Sequence, residues 1–128
     1  MKKLNPDTIA PPVGAFSHAI DVPSNARSLY VSGQIGVDND GVLGKDVSNQ
    51  SRLIWQNIQL ILEDANMAIE DLVKVTAYLT NSADLPAYSK VRSEALGNNR
   101  PCSTLLIVPA LAHPDWKVEV EVIAAKVA

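Results

Sequence analysis

At 128 residues the chain suits one domain, residues 1–128, and its 47% hydrophobic and 20% charged residues are ordinary for a globular protein with a buried core. A net charge of −3 offers no electrostatic footprint for nucleic acid and none for an anionic membrane surface. One cysteine, Cys102, excludes an intrachain disulfide and points to a cytoplasmic protein. Met1-Lys2-Lys3 begins like a signal peptide, but Asn5-Pro6-Asp7 interrupts at once, and no apolar run approaches the ~20 residues of a membrane span.

The segment to about Gly14, with Pro6, Pro11 and Pro12, is expected to be extended and irregular. Phe16 to Val22 alternates loosely as a first strand, and Pro23-Ser24-Asn25 is a turn signal. Leu29 to Ile35 is a second strand, with Leu29, Val31 and Ile35 on one face and Tyr30, Ser32 and Gln34 on the other. After the loop Asp38-Asn39-Asp40-Gly41, Asp46 is placed to cap a helix running to about Ala65. Its apolar stripe is Ile54, Ile58, Ile61 and Ala65, widened by Leu53, Leu60 and Leu62.

Val73 to Thr80 alternates as a strand, Val73, Val75, Ala77 and Leu79 against Lys74, Thr76, Tyr78 and Thr80. Ser82 can cap a second helix with Leu85, Tyr88, Val91, Ala95 and Leu96 on its apolar side, closed by Gly97. Ser103 to Val108 is a nearly continuous apolar strand, Ala110 to Asp115 a loop, and Trp116 to Lys126 the last strand. The order is β-β-α-β-α-β-β, an α+β fold with two helices on one face of a mixed sheet. No third helix is available for the opposite face, although Leu105, Leu106, Ile107 and Val108 are apolar on both sides. The economical cover is a second copy of the chain in a cyclic oligomer.

Glu119 and Glu121 stand two apart in the last strand, so both carboxylates share the face opposite Val118, Val120 and Val122. Exposed, they are a solvated sheet face; covered by a partner, they are placed to hold or shuttle a proton. Cys102 is either a small buried thiol or a nucleophile in need of a base, and neither His18 nor His113 lies near it in sequence. Ser103, His113 and Asp115 have triad residue types without a nucleophile-elbow motif. Two histidines without ligand spacing give no metal site, and no glycine-rich phosphate loop occurs. Arg100 is either a clamp for a substrate carboxylate or a surface arginine before a proline.

Val31-Ser32-Gly33-Gln34-Ile35, Arg100-Pro101-Cys102-Ser103-Thr104 and Val118-Glu119-Val120-Glu121-Val122-Ile123-Ala124 together resemble the RidA/YjgF family, over about Gly14 to Lys126. The resemblance implies a chorismate-mutase-like fold and a homotrimer with small-molecule clefts between subunits. It also implies cofactor-free hydrolysis of imines and enamines to carbonyl compounds and ammonia. Ser32 and Gly33 match the family's cleft wall, and Glu119 matches the residue that positions the attacking water. Three positions depart: Phe16 stands for a tyrosine, Ser89 for an asparagine, and Ser103 for the arginine that pairs with the substrate carboxylate. Losing that bidentate partner is worth a few kcal/mol, so an altered substrate range is expected.

The expected site is thus Glu119 as catalytic group, with Phe16, Ser32, Gly33, Ser89, Arg100, Cys102, Ser103 and Thr104 about the substrate. The expected function is a small-metabolite hydrolase of this type. The alternative is a trimer that binds a metabolite in the same cleft without turning it over. Self-association and a small-molecule ligand are the expected partners; nucleic acid, membrane, metal and cofactor are not.

Overall fold

The computed structural model describes residues 1–128. In chain order the elements are β1 (Lys2–Leu4), β2 (Ala19–Asp21), β3 (Ala26–Ile35), α1 (Val47–Asp64), β4 (Leu72–Leu79), α2 (Leu85–Leu96), β5 (Cys102–Ile107) and β6 (Val118–Val127). Strands β3, β4, β5 and β6 form one mixed sheet in the order β3-β6-β4-β5. Central β6 runs antiparallel to β3 and to β4, while β4 and edge strand β5 run parallel. Helix α2 therefore serves as the crossover that a parallel pair requires.

Valines build the core face of the sheet. Val118, Val120 and Val122 of β6 are buried, as are Val75, Ala77 and Leu79 of β4. Against them pack Ile54, Ile58 and Leu62 of α1 and Tyr88, Val91 and Leu96 of α2. The four-residue spacings Ile54–Ile58–Leu62 put one side of α1 on the sheet. Asp46 caps this helix as its sequence position indicates, its Oδ1 accepting from the Asn49 backbone N–H at 2.8 Å. No helix is long and apolar enough to cross a membrane.

Several expectations are corrected. The first strand is three residues, Ala19–Asp21 within the expected Phe16–Val22, and it pairs with Lys2–Leu4 in a separate two-stranded ribbon. Phe16 and its neighbours are instead tied to the entrance of β5, where Ser17 donates from its N–H to the Pro101 carbonyl and from its hydroxyl to the Arg100 carbonyl. In β4 the register slips between Leu72 and Lys74, so Leu72 rather than Val73 enters the core. Asn81, not Ser82, supplies the capping oxygen before α2, because a short 3₁₀ turn at Ser82–Asp84 precedes the helix proper. Leu85 is exposed, while Gly97 closes α2 as expected. In β5, Leu106 and Ile107 remain 43% and 47% exposed, so the chain by itself does not cover that edge. Trp116 lies before β6 and stacks on His113, 5.7 Å between ring centres.

Gln50 is the buried polar anchor of the fold, 1% exposed on the first turn of α1. Its amide donates to the Gly44 carbonyl at 3.1 Å and the Asp115 carbonyl at 3.2 Å, and its carbonyl accepts from the Lys117 N–H at 2.9 Å. Two loops distant in sequence are thereby fastened to one helix. A Cβ on Gly36 would strike the Gln50 backbone, so the close approach requires glycine there.

Tyr88, fully buried, has no hydrogen-bond partner for its hydroxyl, and Ser51 and Trp55 are likewise unpartnered on facing α1. Burial pushes the Tyr88 phenol from 10.0 up to about 12, with Arg92 and the nearby Trp55 indole opposing; that indole nitrogen nevertheless misses hydrogen-bonding geometry. The folded chain thus keeps this proton where the unfolded chain has released it. The resulting stability is complete below pH 10.0 and is lost as pH rises through about 12. The loss amounts to roughly 3 kcal/mol at 1.36 kcal/mol per pKa unit. Tyr88→Phe is expected to cost less than about 1 kcal/mol at pH 7, since no hydrogen bond is removed, and to flatten the alkaline fall. Urea unfolding between pH 7 and 12 measures both; an equally steep fall in the variant would disprove this source.

Candidate functional site

The sheet face turned away from the helices is polar in its central columns. Register places Thr76 between Glu121 and Thr104, Tyr78 between Glu119 and Leu106, and Lys74 between Ile123 and Cys102. Tyr78 donates its hydroxyl proton to Glu121 Oε1 at 2.5 Å, and Lys74 Nζ donates to Thr104 Oγ1 at 2.6 Å. The hydrogen bond to Glu121, then desolvation and the charges of Glu121 and Glu119, raise the Tyr78 phenol above its usual 10.0. It is therefore a proton donor at neutral pH. Tyr30, Ser32, Lys74, Thr76 and Glu121 line a hollow of about 450 Å³ on this face.

Glu119 is positioned by an irregularity of β3. Val31 pairs with Val122 and Gln34 with Val120, so Ser32 and Gly33 together oppose the single residue Glu121. The extra residue reverses the alternation. Gln34 falls in register with buried Val120 and Ile35 with Glu119, the opposite of the expected Leu29-Val31-Ile35 face. At the bulge a Cβ on Gly33 would fall inside the Glu119 carboxylate, so glycine leaves the space into which that carboxylate folds.

The expected site residues fall in two groups. Ser32, Gly33, Glu119, Cys102 and Thr104 belong to the polar outer face. Ser103 is in register with buried Val75, which turns it to the helix side of edge strand β5. Ser89 lies on α2, Phe16 is in the segment tied to the β5 entrance, and Arg100 precedes it. Arg100 Nη1 donates to the Gly97 and Asn99 carbonyls at 2.8 and 2.9 Å. The expected residues thus lie in two groups, one on the outer sheet face and one about α2 and the β5 entrance.

The remaining candidates gain nothing. His18 Nε2 lies 2.7 Å from the Ala10 carbonyl, and His113 Nδ1 accepts from the Asp115 backbone, so neither ring is joined to Cys102 or Ser103. No group of three metal-binding side chains occurs. Sequence pattern puts Lys74, Thr76 and Tyr78 on the polar face without linking them to the carboxylates. The signal that links them is the facing alternation of Lys74-x-Thr76-x-Tyr78 and Glu119-x-Glu121 in adjacent strands.

Among known proteins, a family model described as Endoribonuclease L-PSP matches residues 8–126. A RutC family protein of Pyrococcus abyssi is 34% identical over 90% of this chain and 89% of its own. A 2-iminobutanoate/2-iminopropanoate deaminase of Dermatophagoides farinae is 29% identical over 94% of this chain and 93% of its own. The crystal structure of a conserved Rid family protein of unknown function from Yersinia pestis superposes with a TM-score of 0.85 at 28% identity, covering 98% of each chain. The α+β fold, with two helices on a mixed sheet, is the fold of those structures, and the chain belongs to the RidA/YjgF family.

Proposed function

We propose that the chain is a hydrolase of small imines and enamines, converting a C=N bond to C=O with release of ammonia. The observation that carries this is Glu119, its carboxylate folded into the space left by Gly33 beside the Tyr78–Glu121 pair. A base, a phenolic donor and a small polar hollow share one face, as addition of water to an imine requires. Glu119 takes a proton from water as the water oxygen bonds to the imine carbon; the C=N π pair moves to nitrogen, which is protonated, giving a carbinolamine. A second proton on nitrogen makes ammonia the leaving group, and the C–N bond breaks as the hydroxyl gives up its proton and C=O forms. Ser32, Ser103 and Thr104 hydrogen-bond the substrate, and backbone N–H groups near Cys102 polarise it. The relative named as a 2-iminobutanoate/2-iminopropanoate deaminase supports this chemistry.

The two groups of site residues join when one copy lends its outer face to the β5 entrance of the next. Exposed Leu106, Ile107 and Tyr30 support such packing, and we assign a cytoplasmic homotrimer with a ligand cleft at each interface. RNA cleavage gains no support from a net charge of −3. Binding without turnover is favoured by one observation, the hydroxyl of Ser103 where the family's deaminases carry arginine. Generating 2-iminobutanoate in situ and following 2-oxobutanoate release separates the two. Wild type is expected to accelerate release, and Ser103→Arg to raise kcat/KM by about 10-fold or more by restoring a charged partner. Saturable binding with no acceleration on any imine tried would leave the binding role.

A further inference from the structure

The stretch of sheet that holds Glu119 is short. Past the slip at Ser32-Gly33, the β3–β6 ladder continues only through Gln34 with Val120 and Ile35 with Glu119. Side-chain pattern works against this phase. Continued without a slip from Val31 and Val122, the same strands would set Ser32 opposite Glu121, Gly33 opposite Val120 and Gln34 opposite Glu119. Leu29, Val31 and Ile35 would then share the core face, and Gln34 would turn outward. The observed phase instead puts Gln34 in register with buried Val120 and Ile35 with Glu119. Two pairs alone are a weak hold on a register that the alternation opposes, so the bulge needs a stop beyond them.

Gln50 stands at the open end of this segment and holds both strands. Its side-chain oxygen accepts from the Lys117 N–H at 2.9 Å, two residues before Glu119. Its amide donates to the Asp115 and Gly44 carbonyls. On the β3 side Gly36, next after Ile35, is buried against the Gln50 main chain with no room for a Cβ. The Gly36 carbonyl also accepts from the Gly44 N–H at 2.8 Å. A one-residue slip would move one strand about 3.3 Å along the other, so Gly36 and Lys117 could not both keep their places on Gln50. We propose that Gln50 is a register lock, a positioning residue that keeps the bulge at Ser32-Gly33 and so keeps glycine beside the Glu119 carboxylate. It acts through the pairing of β3 with β6. This rests on the role proposed above for Glu119, but the pairing is read apart from turnover.

The test is Gln50→Leu in the isotope-labelled full chain, at a temperature where circular dichroism shows it folded. Two readouts are taken: cross-strand proton contacts by NMR, and 2-iminobutanoate hydrolysis. Wild type is expected to show Gln34 against Val120 and Ile35 against Glu119. Gln50→Leu should lose these contacts or share them with Gly33 against Val120. It should also lower kcat by about 10-fold or more, with KM within about 3-fold. In a Glu119→Gln background the same change should lower kcat by less than about 2-fold, because the effect runs through that carboxylate. Val91→Ala, a truncation of the buried core on α2, should lower thermal stability yet leave the contacts and kcat in place. A merely structural Gln50 would behave as Val91 does. Should Gln50→Leu not fold, Gln50→Asn decides, since the shorter amide cannot reach all three main-chain groups. Wild-type contacts retained in the folded variant, kcat within 3-fold of wild type, or an equal loss of kcat in Val91→Ala overturns the proposal. Hydrolysis that Gln50→Leu leaves undiminished removes the lock and leaves the hydrolase; re-paired strands in a chain that hydrolyses no imine leave the lock and remove the hydrolase.

Discussion

Glu119→Gln is expected to lower 2-iminobutanoate hydrolysis by about 100-fold or more, the usual scale of a lost general base. Glutamine retains the length and volume that fit the space at Gly33, so folding and ligand affinity should be little changed. The loss should therefore fall on kcat rather than on KM, because the group acts on water in the transition state. Circular dichroism and 2-oxobutanoate binding check that fold and cleft survive. A variant within about 3-fold of wild type would place the base elsewhere, with Glu121 the next carboxylate on the same face.

Gln50→Leu is expected to cost about 3 kcal/mol, the largest stability effect foreseen for a single polar side chain here. Leucine fills a similar volume but satisfies none of the three main-chain groups that Gln50 serves, and an orphaned buried group costs about 1–3 kcal/mol. It also frees the loop holding Gly44 from the one before β6, which Gln50 holds together. Urea unfolding at pH 7 reads the cost directly. A loss under about 1 kcal/mol would mean that water replaces the amide at little expense.

Period and punctuation made most of the fold legible. The four-residue spacing of Ile54, Ile58 and Leu62, the Asp46 cap and Gly97 located both helices to within a few residues. What stayed hidden depends on pairing between distant strands. Nothing local to Lys2–Leu4 marks it as a strand, because its partner Ala19–Asp21 lies beyond three prolines. The slips at Ser32–Gly33 and at Leu72–Lys74 are invisible to alternation, which assumes an unbroken period of two. For the site, Glu119 and Gly33 could be chosen from their motifs, but their mutual contact could not.

The bulge makes β3 two half-strands of opposite phase, Ala26–Val31 and Gln34–Ile35, spliced at Ser32-Gly33. Chain length at the splice is thus a coded quantity, much as frame is in a message. Removing Gly33 would restore an unbroken ladder, with Gln34 still opposite Val120 and Ile35 still opposite Glu119, yet would take away the position without a Cβ that admits the Glu119 carboxylate. A shortened relative could keep every helix, strand and core valine of this protein and still have no place for its carboxylate to go.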